Sequence, residues 1–203
     1  MLLYLIRHGQ TNHNKAKRLQ GQTDIPLNEF GIEAAEKTAK GMADIDFDLI
    51  ISSPLNRAIT TAKIIKGHRD IPIEVDERIK EISFGDYEGL CSHGIDYDIP
   101  DLDFPNFFDA PEKYNTPPNG ESFKDVISRC GNFIKDIMAN KDYEDKTILI
   151  STHGCALKAI LYNLRETELK DFWGDGVSKN CGVTIVKVDG NKVEILEEGK
   201  TYY

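Results

Sequence analysis

Short apolar runs alternate with amphipathic stretches along most of this chain. The runs are continuous rather than alternating in polarity, which is typical of strands covered on both faces of a parallel sheet. Such runs span residues 2–7, 47–51, 71–75 and 147–151. Between them, apolar residues recur at helical spacing. The pattern predicts an α/β fold in three layers, with a mainly parallel central sheet and helices on both faces.

Four helices are predicted from apolar faces and capping residues. Asn28 is a suitable N-cap for the first, and Ser53 with Pro54 indicates the cap and first residue of the second. The most regular apolar face belongs to the third helix, which ends at Met138. The predicted helices cover residues 28–43, 54–65, 121–138 and 154–164.

The C-terminal part predicts a β-hairpin. Two apolar-rich segments, 183–188 and 193–196, flank the turn sequence Asp189-Gly190-Asn191. A hairpin is antiparallel, so we expect an antiparallel edge strand beside the parallel strands.

Residues 91–119 differ from the rest of the chain in composition. They contain five prolines, many aspartates and the aromatic residues Phe104, Phe107, Phe108 and Tyr114. Irregular segments of this length inside compact domains commonly serve as lids or binding loops. We therefore predict a single domain over residues 1–203 with a lid insertion at 91–119.

Composition narrows the class of protein. The formal net charge of -9 argues against nucleic-acid and anionic-membrane partners. No apolar stretch is long enough to span a bilayer, and no secretory signal is visible at the N-terminus. The four cysteines form no Cys-x-x-Cys pair, so reduced thiols and a cytoplasmic location are expected. The sequence leaves the oligomeric state open, a homodimer included.

Two predicted strands lead directly into a histidine. His8 follows Leu5-Ile6-Arg7, and His153 follows Ser151-Thr152. Open α/β sheets bind ligands at the carboxyl ends of their strands, so we expect the two histidines to lie side by side there. A neutral imidazole can attack phosphorus, and a guanidinium such as that of Arg7 can bind phosphate oxygens. The arrangement predicts a pocket for a transferable phosphoryl group.

Four segments together resemble the histidine phosphatase superfamily, which includes cofactor-dependent phosphoglycerate mutases and many small phosphatases. The match covers nearly the whole chain in the expected order. The segments are Arg7-His8-Gly9-Gln10-Thr11 with Asn14, Ser52-Ser53-Pro54-Leu55-Asn56-Arg57-Ala58, Glu81 ahead of Gly85-Asp86-Tyr87-Glu88-Gly89, and Ser151-Thr152-His153-Gly154.

The resemblance implies catalytic roles for five residues. His8 corresponds to the nucleophile that becomes phosphorylated. Arg7 and Arg57 correspond to the arginines that bind the phosphate. His153 corresponds to the second histidine, which binds the transferring group and stabilises its developing charge, and Glu81 to the general acid and base.

The resemblance also implies substrate-binding residues besides Arg7, Arg57 and His153. Asn14 corresponds to a hydrogen-bond donor to phosphate, and Gln20 and Gly21 to substrate contacts. No metal ion and no cofactor are expected, because the two arginines and the second histidine supply the positive charge.

Three activities are compatible with this site. The family's mutases carry Arg-His-Tyr-Gly after the glutamate and a tryptophan near the site, whereas this chain has Ile82-Ser83-Phe84-Gly85 and Gln22. It looks like the small phosphatases, such as alpha-ribazole phosphatase and broad-specificity phosphatases. We therefore predict a metal-independent phosphomonoesterase with a phosphohistidine intermediate. A phosphoglycerate mutase-type transferase and a non-catalytic phospho-ligand binding module are the alternatives.

The lid sequence suggests a substrate class. Its carboxylates are expected to repel a second strong anion, and its aromatic residues to cover an apolar moiety. We thus expect a monoester of a small organic alcohol rather than a bisphosphorylated sugar. The basic run Lys15, Lys17 and Arg18 is either a solvated face or a contact for a second anionic group, and His93 is a surface residue or reaches the site. The lid carboxylates expected to repel a second anion are those of Asp96, Asp98, Asp101, Asp103, Asp109 and Glu112.

Overall fold

Six strands form one mixed sheet in the computed structural model, which describes residues 1–190 and 192–203. The strands are β1 (Leu2–Arg7), β2 (Leu49–Ser52), β3 (Ile73–Val75), β4 (Thr147–Thr152), β5 (Val183–Asp189) and β6 (Lys192–Lys200). Their order is β3-β2-β4-β1-β5-β6. Neighbours from β3 to β1 run parallel, whereas β5 and β6 join antiparallel. The predicted sheet is confirmed.

Helices cover both faces of this sheet, as predicted. They are α1 (Asn12–Lys15), α2 (Glu29–Gly41), α3 (Asn56–Lys66), α4 (Asn106–Asp109), α5 (Phe123–Ala139) and α6 (Gly154–Leu164). Along β1, Leu3 and Leu5 join the core beneath α5 and α6, while Ile6 joins the core beneath α2 and α3. Side chains of a strand point alternately to opposite faces, so a continuous apolar run supplies both cores.

The capping residues were predicted with mixed success. Asn28 Oδ1 accepts a hydrogen bond from Gly31 N at 2.8 Å and caps α2 as expected. The predicted start of the next helix is wrong: α3 begins at Asn56, and its N-cap Leu55 makes no side-chain hydrogen bond. The hydroxyl of Ser53 instead lies 2.7 Å from His153 Nε2. The residue predicted as a helix cap therefore contacts the buried His153.

Element ends differ from the sequence predictions where polar residues obscure the pattern. β6 continues to Lys200, beyond the predicted end at 196, because its alternate residues face solvent. The predicted turn before β6 includes Asn191, which lies outside the described residues. In the described part of the chain, no helix is both long and apolar enough to span a membrane.

Aromatic packing ties residues 91–119 to the main core. Phe104 and Phe107 are almost completely buried. The ring of Phe107 stacks on Phe123 of α5 with a centroid distance of 5.1 Å and meets Trp173 edge-on at 5.2 Å. The segment thus contributes to the core as well as to the surface above the carboxyl ends of the strands.

Candidate active site

The two histidines lie side by side at the carboxyl edge of the sheet, because β1 and β4 are adjacent parallel strands. Arg7 pairs with Thr152 in register, and His8 N donates a 2.9 Å hydrogen bond to Thr152 O. The ring centroids of His8 and His153 are 5.1 Å apart. Both side chains are buried. The sheet topology therefore brings together two motifs that are far apart in sequence.

His8 is held as a neutral imidazole with a defined tautomer. Its Nδ1 lies 2.7 Å from the carbonyl oxygen of Gly9. A carbonyl only accepts hydrogen bonds, so Nδ1 carries the proton and Nε2 carries the lone pair. Burial, together with the charges of Arg57 and Arg7, lowers the pKa of His8 well below its ordinary value. Nε2 is consequently available as a nucleophile at neutral pH.

Two arginines border the His8 ring. Arg57 donates from Nη1 to Thr23 O at 2.8 Å and from Nη2 to Gly21 O at 2.6 Å. Burial lowers its pKa to about 10, which leaves it cationic at neutral pH. Arg7 donates from Nη1 to Ser178 O at 2.6 Å. Neutral carbonyls fix both guanidinium groups without cancelling their charge.

Several buried side-chain nitrogens of the residues around His8 have no hydrogen-bond partner in the protein. Within the described residues, four buried side-chain polar atoms lack a hydrogen-bond partner, and three of them are Arg7 Nε, Arg57 Nε and His153 Nδ1. An unsatisfied buried polar group costs about 1–3 kcal/mol, so such groups cluster where a ligand satisfies them. Two cationic N–H donors and an imidazole suit an oxyanion.

Ser53 is the hydrogen-bond partner of the second histidine. Its Oγ lies 2.7 Å from His153 Nε2, and both groups are buried. Burial and the nearby Arg57 and His8 lower the pKa of His153 well below its ordinary value. A hydroxyl can donate to the neutral ring or accept from the protonated one. Ser53 therefore fits both charge states of His153.

Glu81 meets the N-terminus of α6. Its Oε1 accepts hydrogen bonds from the backbone nitrogens of Ile82, Cys155 and Ala156, each at 3.1 Å. Its Oε2 has one longer contact, 3.3 Å to Cys155 N. Backbone N–H groups in the first turn of a helix have no partner within the helix, so they are free to hold Oε1. The carboxyl group is thus oriented through Oε1, and Oε2 is the less engaged oxygen.

Asn14 presents its amide nitrogen to the cavity. Its Oδ1 accepts hydrogen bonds from Thr11 N at 3.1 Å and from Asn180 Nδ2 at 3.3 Å. Two donors around Oδ1 indicate which end of the amide is oxygen, so Nδ2 is the free donor. Gln20 also lines the cavity, with its Oε1 accepting from Thr11 Oγ1 at 2.8 Å.

Gly21 lines the same cavity and is required by geometry. Its φ is +50°, and a Cβ built there would lie 2.0 Å from Glu88 Oε1. Glu88 accepts hydrogen bonds from the backbone nitrogens of Gln22, Thr23 and Phe84. Its carboxylate thus joins the loop after α1 to the loop after Glu81. Only a residue without a side chain fits beside it.

A partly buried ion pair supports the Glu81 backbone. Arg129 on α5 donates from Nη2 to Glu81 O at 3.0 Å, from Nη1 to Lys80 O at 2.6 Å, and pairs with Glu121 at 2.8 Å. Gln22 Nε2 also donates to Glu81 O at 3.1 Å. Four residues that contact the site were not predicted from the sequence: Ser53, Asn180, Glu121 and Arg129. Each is a polar residue beside a motif or an apolar helix face, and such positions are too common to identify a site residue.

The cavity beside His8 has a volume of about 510 Å³. Arg7, His8, Arg57 and Glu81 line it, and the His153 ring lies next to this wall, with its centroid 5.1 Å from that of His8. Phe84, Phe107, Phe108, Trp173 and Val177 form an apolar wall. Among residues 1–190 and 192–203, no group of three or more His, Cys, Asp and Glu side chains is placed to hold a metal ion.

Two expectations for residues 91–119 require correction. Phe107 and Phe108 line the cavity, but Phe104 and Tyr114 do not, because they pack against Phe107 from below. The carboxylates of this segment also stay outside: of the described residues, Glu81 is the only acidic one that lines the cavity. Asp98 comes nearest, 4.0 Å from the lining residue Arg18.

Together the fold and the site indicate a class of protein: an α/β protein with a neutral histidine among arginines at the edge of its sheet, which suits phosphoryl transfer. The family follows from comparison. The model of the histidine phosphatase superfamily (branch 1) matches residues 3–201, and the chain belongs to this family. The phosphohistidine mechanism is general to the family.

Similar proteins carry phosphatase names. The uncharacterized phosphatase PhoE of Bacillus subtilis is 34% identical over 77% of this chain and 74% of its own length. Glucosyl-3-phosphoglycerate phosphatase of Mycobacterium tuberculosis is 33% identical over 80% and 75%. The solved structure of Bacillus stearothermophilus YhfR superposes with a TM-score of 0.88 at 36% identity, covering 98% of this chain and 97% of that one. The prediction of a phosphatase from the small phosphatase branch is confirmed.

Proposed function

We propose that this chain hydrolyses a small organic phosphate monoester, with His8 as the nucleophile. The observation that carries the proposal is the His8 tautomer, because Nδ1 is tied to Gly9 O and Nε2 has a free lone pair. The same pocket holds the unpartnered nitrogens of Arg7 and Arg57. A nucleophile and two cations at one point are what transfer of a phosphoryl dianion needs.

In the first step, His8 Nε2 attacks phosphorus while the bond between phosphorus and the ester oxygen breaks. Glu81 Oε2 gives its proton to the departing alkoxide, and a phosphohistidine results. Arg7, Arg57 and Asn14 bind the phosphoryl oxygens. An ion pair at 4 Å contributes about 4 kcal/mol at an effective dielectric of 20, before desolvation is subtracted. Two arginines are therefore sufficient to hold a dianion in an acidic protein.

In the second step, a water molecule attacks the phosphohistidine. Glu81 Oε2 takes a proton from this water, the bond between nitrogen and phosphorus breaks, and inorganic phosphate leaves. His153 binds the phosphoryl group in both steps, with Ser53 accepting from the ring when it is protonated. His8 returns to its neutral form, and Glu81 is protonated for the next cycle.

Water rather than a second substrate hydroxyl is the proposed acceptor. Gln22 stands where the mutases of the family carry tryptophan, and it hydrogen-bonds to Glu81 O and Glu121. The proposal also includes a single domain over residues 1–203, with 91–119 as a lid insertion. A cytoplasmic location belongs to it as well, supported by four buried, unpaired cysteines.

Hydrolysis of p-nitrophenyl phosphate without added metal tests the function. We expect turnover between about pH 5 and 7.5, because the lowered pKa of His8 favours its neutral form. His8→Ala should abolish turnover, whereas His68→Ala, at an exposed histidine remote from the cavity, should not. Acid quenching of the wild type should trap acid-labile phosphate on the chain. A protein that binds phosphate but hydrolyses none of the ester would be a binding module instead.

A further inference from the structure

Residues 178–181 lie beside the active site because of the sheet topology. β5 is the antiparallel neighbour of β1, so the segment that leads into β5 meets the end of β1. Arg7 Nη1 donates to Ser178 O at 2.6 Å, and Cys181 N donates to Arg7 O at 2.9 Å. Residues 178–181 do not line the cavity. The segment therefore supports the site from outside the cavity.

One side chain of this segment, that of Asn180, contacts two residues of the site at once. Its Nδ2 donates to His8 O at 3.0 Å and to Asn14 Oδ1 at 3.3 Å. An amide nitrogen carries two hydrogens, so both bonds form together. Because Asn180 does not line the cavity, it can act on a ligand only through the residues that it contacts.

The backbone carbonyl of His8 sets the direction of both amide groups. A carbonyl oxygen only accepts hydrogen bonds, so the nitrogen end of the Asn180 amide faces it. The second hydrogen of that nitrogen then requires an acceptor, and the oxygen end of the Asn14 amide supplies it. Asn14 Nδ2 is consequently left to donate to a ligand in the cavity.

The orientation of the Asn14 amide decides whether this residue attracts or repels a phosphoryl oxygen. The last torsion of an asparagine side chain is broad and roughly two-fold, so contacts must select one orientation. Reversal of the amide would place Oδ1 against the phosphoryl oxygens, and two acceptors repel each other. Thr11 N and Asn180 Nδ2 are the donors that hold Oδ1 away from the ligand.

The backbone around Asn180 is itself held in place. Tyr203 Oη donates to Asn180 O at 2.6 Å, and the Tyr203 ring meets Phe30 edge-on at 5.9 Å. The next residue, Cys181, is fully buried and has a φ of +53°. Residues other than glycine rarely adopt this left-handed conformation, which persists where the surroundings enforce it. The Asn180 side chain thus starts from a defined position.

We propose that Asn180 is a positioning residue of the phosphate site. It orients the Asn14 amide so that Nδ2 donates to the phosphoryl group, and Tyr203 holds Asn180 in place. This inference rests on the proposed function, because it concerns the ligand that Asn14 binds there. A purely structural role for Asn180 would affect stability and would not depend on the Asn14 side chain.

A double-mutant cycle tests the proposal, with inorganic phosphate as the probe and its Kd measured by calorimetry. Asn180→Asp should weaken binding about tenfold, because a carboxylate accepts from Asn14 Nδ2 and withdraws this donor from the ligand. In an Asn14→Ala background the same substitution should weaken binding about threefold or less, which is the effect of the added charge alone. Where the wild type hydrolyses p-nitrophenyl phosphate, kcat/KM should show the same pattern.

Asn163→Asp is the matched control. Asn163 Nδ2 also donates to two acceptors, Ile127 O at 3.0 Å and Ala159 O at 2.8 Å, but Asn163 does not contact the site. This variant should lower Tm and leave the phosphate Kd unchanged. The milder variant Tyr203→Phe removes only the hydroxyl that holds Asn180. It should weaken phosphate binding about threefold when Asn14 is present, and not in Asn14→Ala.

The outcomes separate the role of Asn180 from the phosphatase activity. An unchanged Kd in Asn180→Asp, or an equal loss with and without the Asn14 side chain, would overturn the positioning role and leave hydrolysis by the wild type intact. A wild type that binds phosphate without hydrolysing the ester would overturn the proposed function, and the cycle in Kd would still report on Asn180. If Asn180→Asp does not fold, the Tyr203→Phe cycle decides, and an equal effect in both backgrounds refutes the proposal.

Discussion

Ser53→Ala should impair catalysis far more than its distance from the cavity surface suggests. The substitution removes the hydroxyl that lies 2.7 Å from His153 Nε2 in a fully buried environment. Hydrogen bonds to charged groups contribute about 1.5–3 kcal/mol, and His153 becomes charged only when it binds the phosphoryl dianion. Since 1.36 kcal/mol corresponds to a tenfold change in rate, we expect kcat to fall about 10- to 150-fold.

The matched control for this variant is Ser52→Ala. Ser52 is equally buried, but its hydroxyl donates to the carbonyl of Ser53 at 2.9 Å and does not contact a histidine. Both variants should lose about 1–2 kcal/mol of unfolding free energy, as measured by urea denaturation. Only Ser53→Ala should also move the pH profile of kcat for p-nitrophenyl phosphate, because protonated His153 loses its acceptor. Equal kcat values and superimposable pH profiles for the two variants would refute the reasoning.

Two further predictions concern the free protein and the loop beside the phosphate pocket. Burial lowers the pKa of His8 and of His153 in the folded state, so the unfolded chain takes up protons first as the pH falls below about 6.5. The free energy of unfolding, measured by calorimetry, should therefore decline from pH 7 to 5, and it should decline less steeply for His8→Asn. Gly21→Ala should lower both Tm and kcat/KM, because its φ is +50° and its Cβ would lie 2.0 Å from Glu88 Oε1. Gly89→Ala, with φ of +88° but no atom within 4 Å of its Cβ, should lose stability alone; an equal loss of activity in both would contradict the steric argument.

Much of the site could be predicted because its residues follow strands. A strand that ends in histidine places that side chain at the sheet edge, and adjacent parallel strands place two such histidines together. In the structure the ring centroids of His8 and His153 lie 5.1 Å apart, side by side as that rule predicts. Asn14, Gln20 and Gly21 came from the family resemblance, and the structure places all three on the cavity wall.

The supporting residues could not be predicted because their partners are distant in sequence. Ser53 had the local signature of a helix cap, and only the fold brings it to His153. Arg129 lies on a helix whose periodicity says that one face is buried, without saying that its guanidinium reaches the carbonyl of Glu81. Local patterns encode burial, whereas hydrogen-bond partners depend on how elements pack.

By itself, the sequence determined the α/β architecture and the residue types of a phosphoryl-transfer site, because apolar periodicity and strand-end motifs are local properties. The tertiary structure decided which charged side chains line the cavity. The aspartates of residues 91–119 do not line it, whereas Lys17 and Arg18 do. Charge acts through distance and burial, and neither is fixed until the chain has folded.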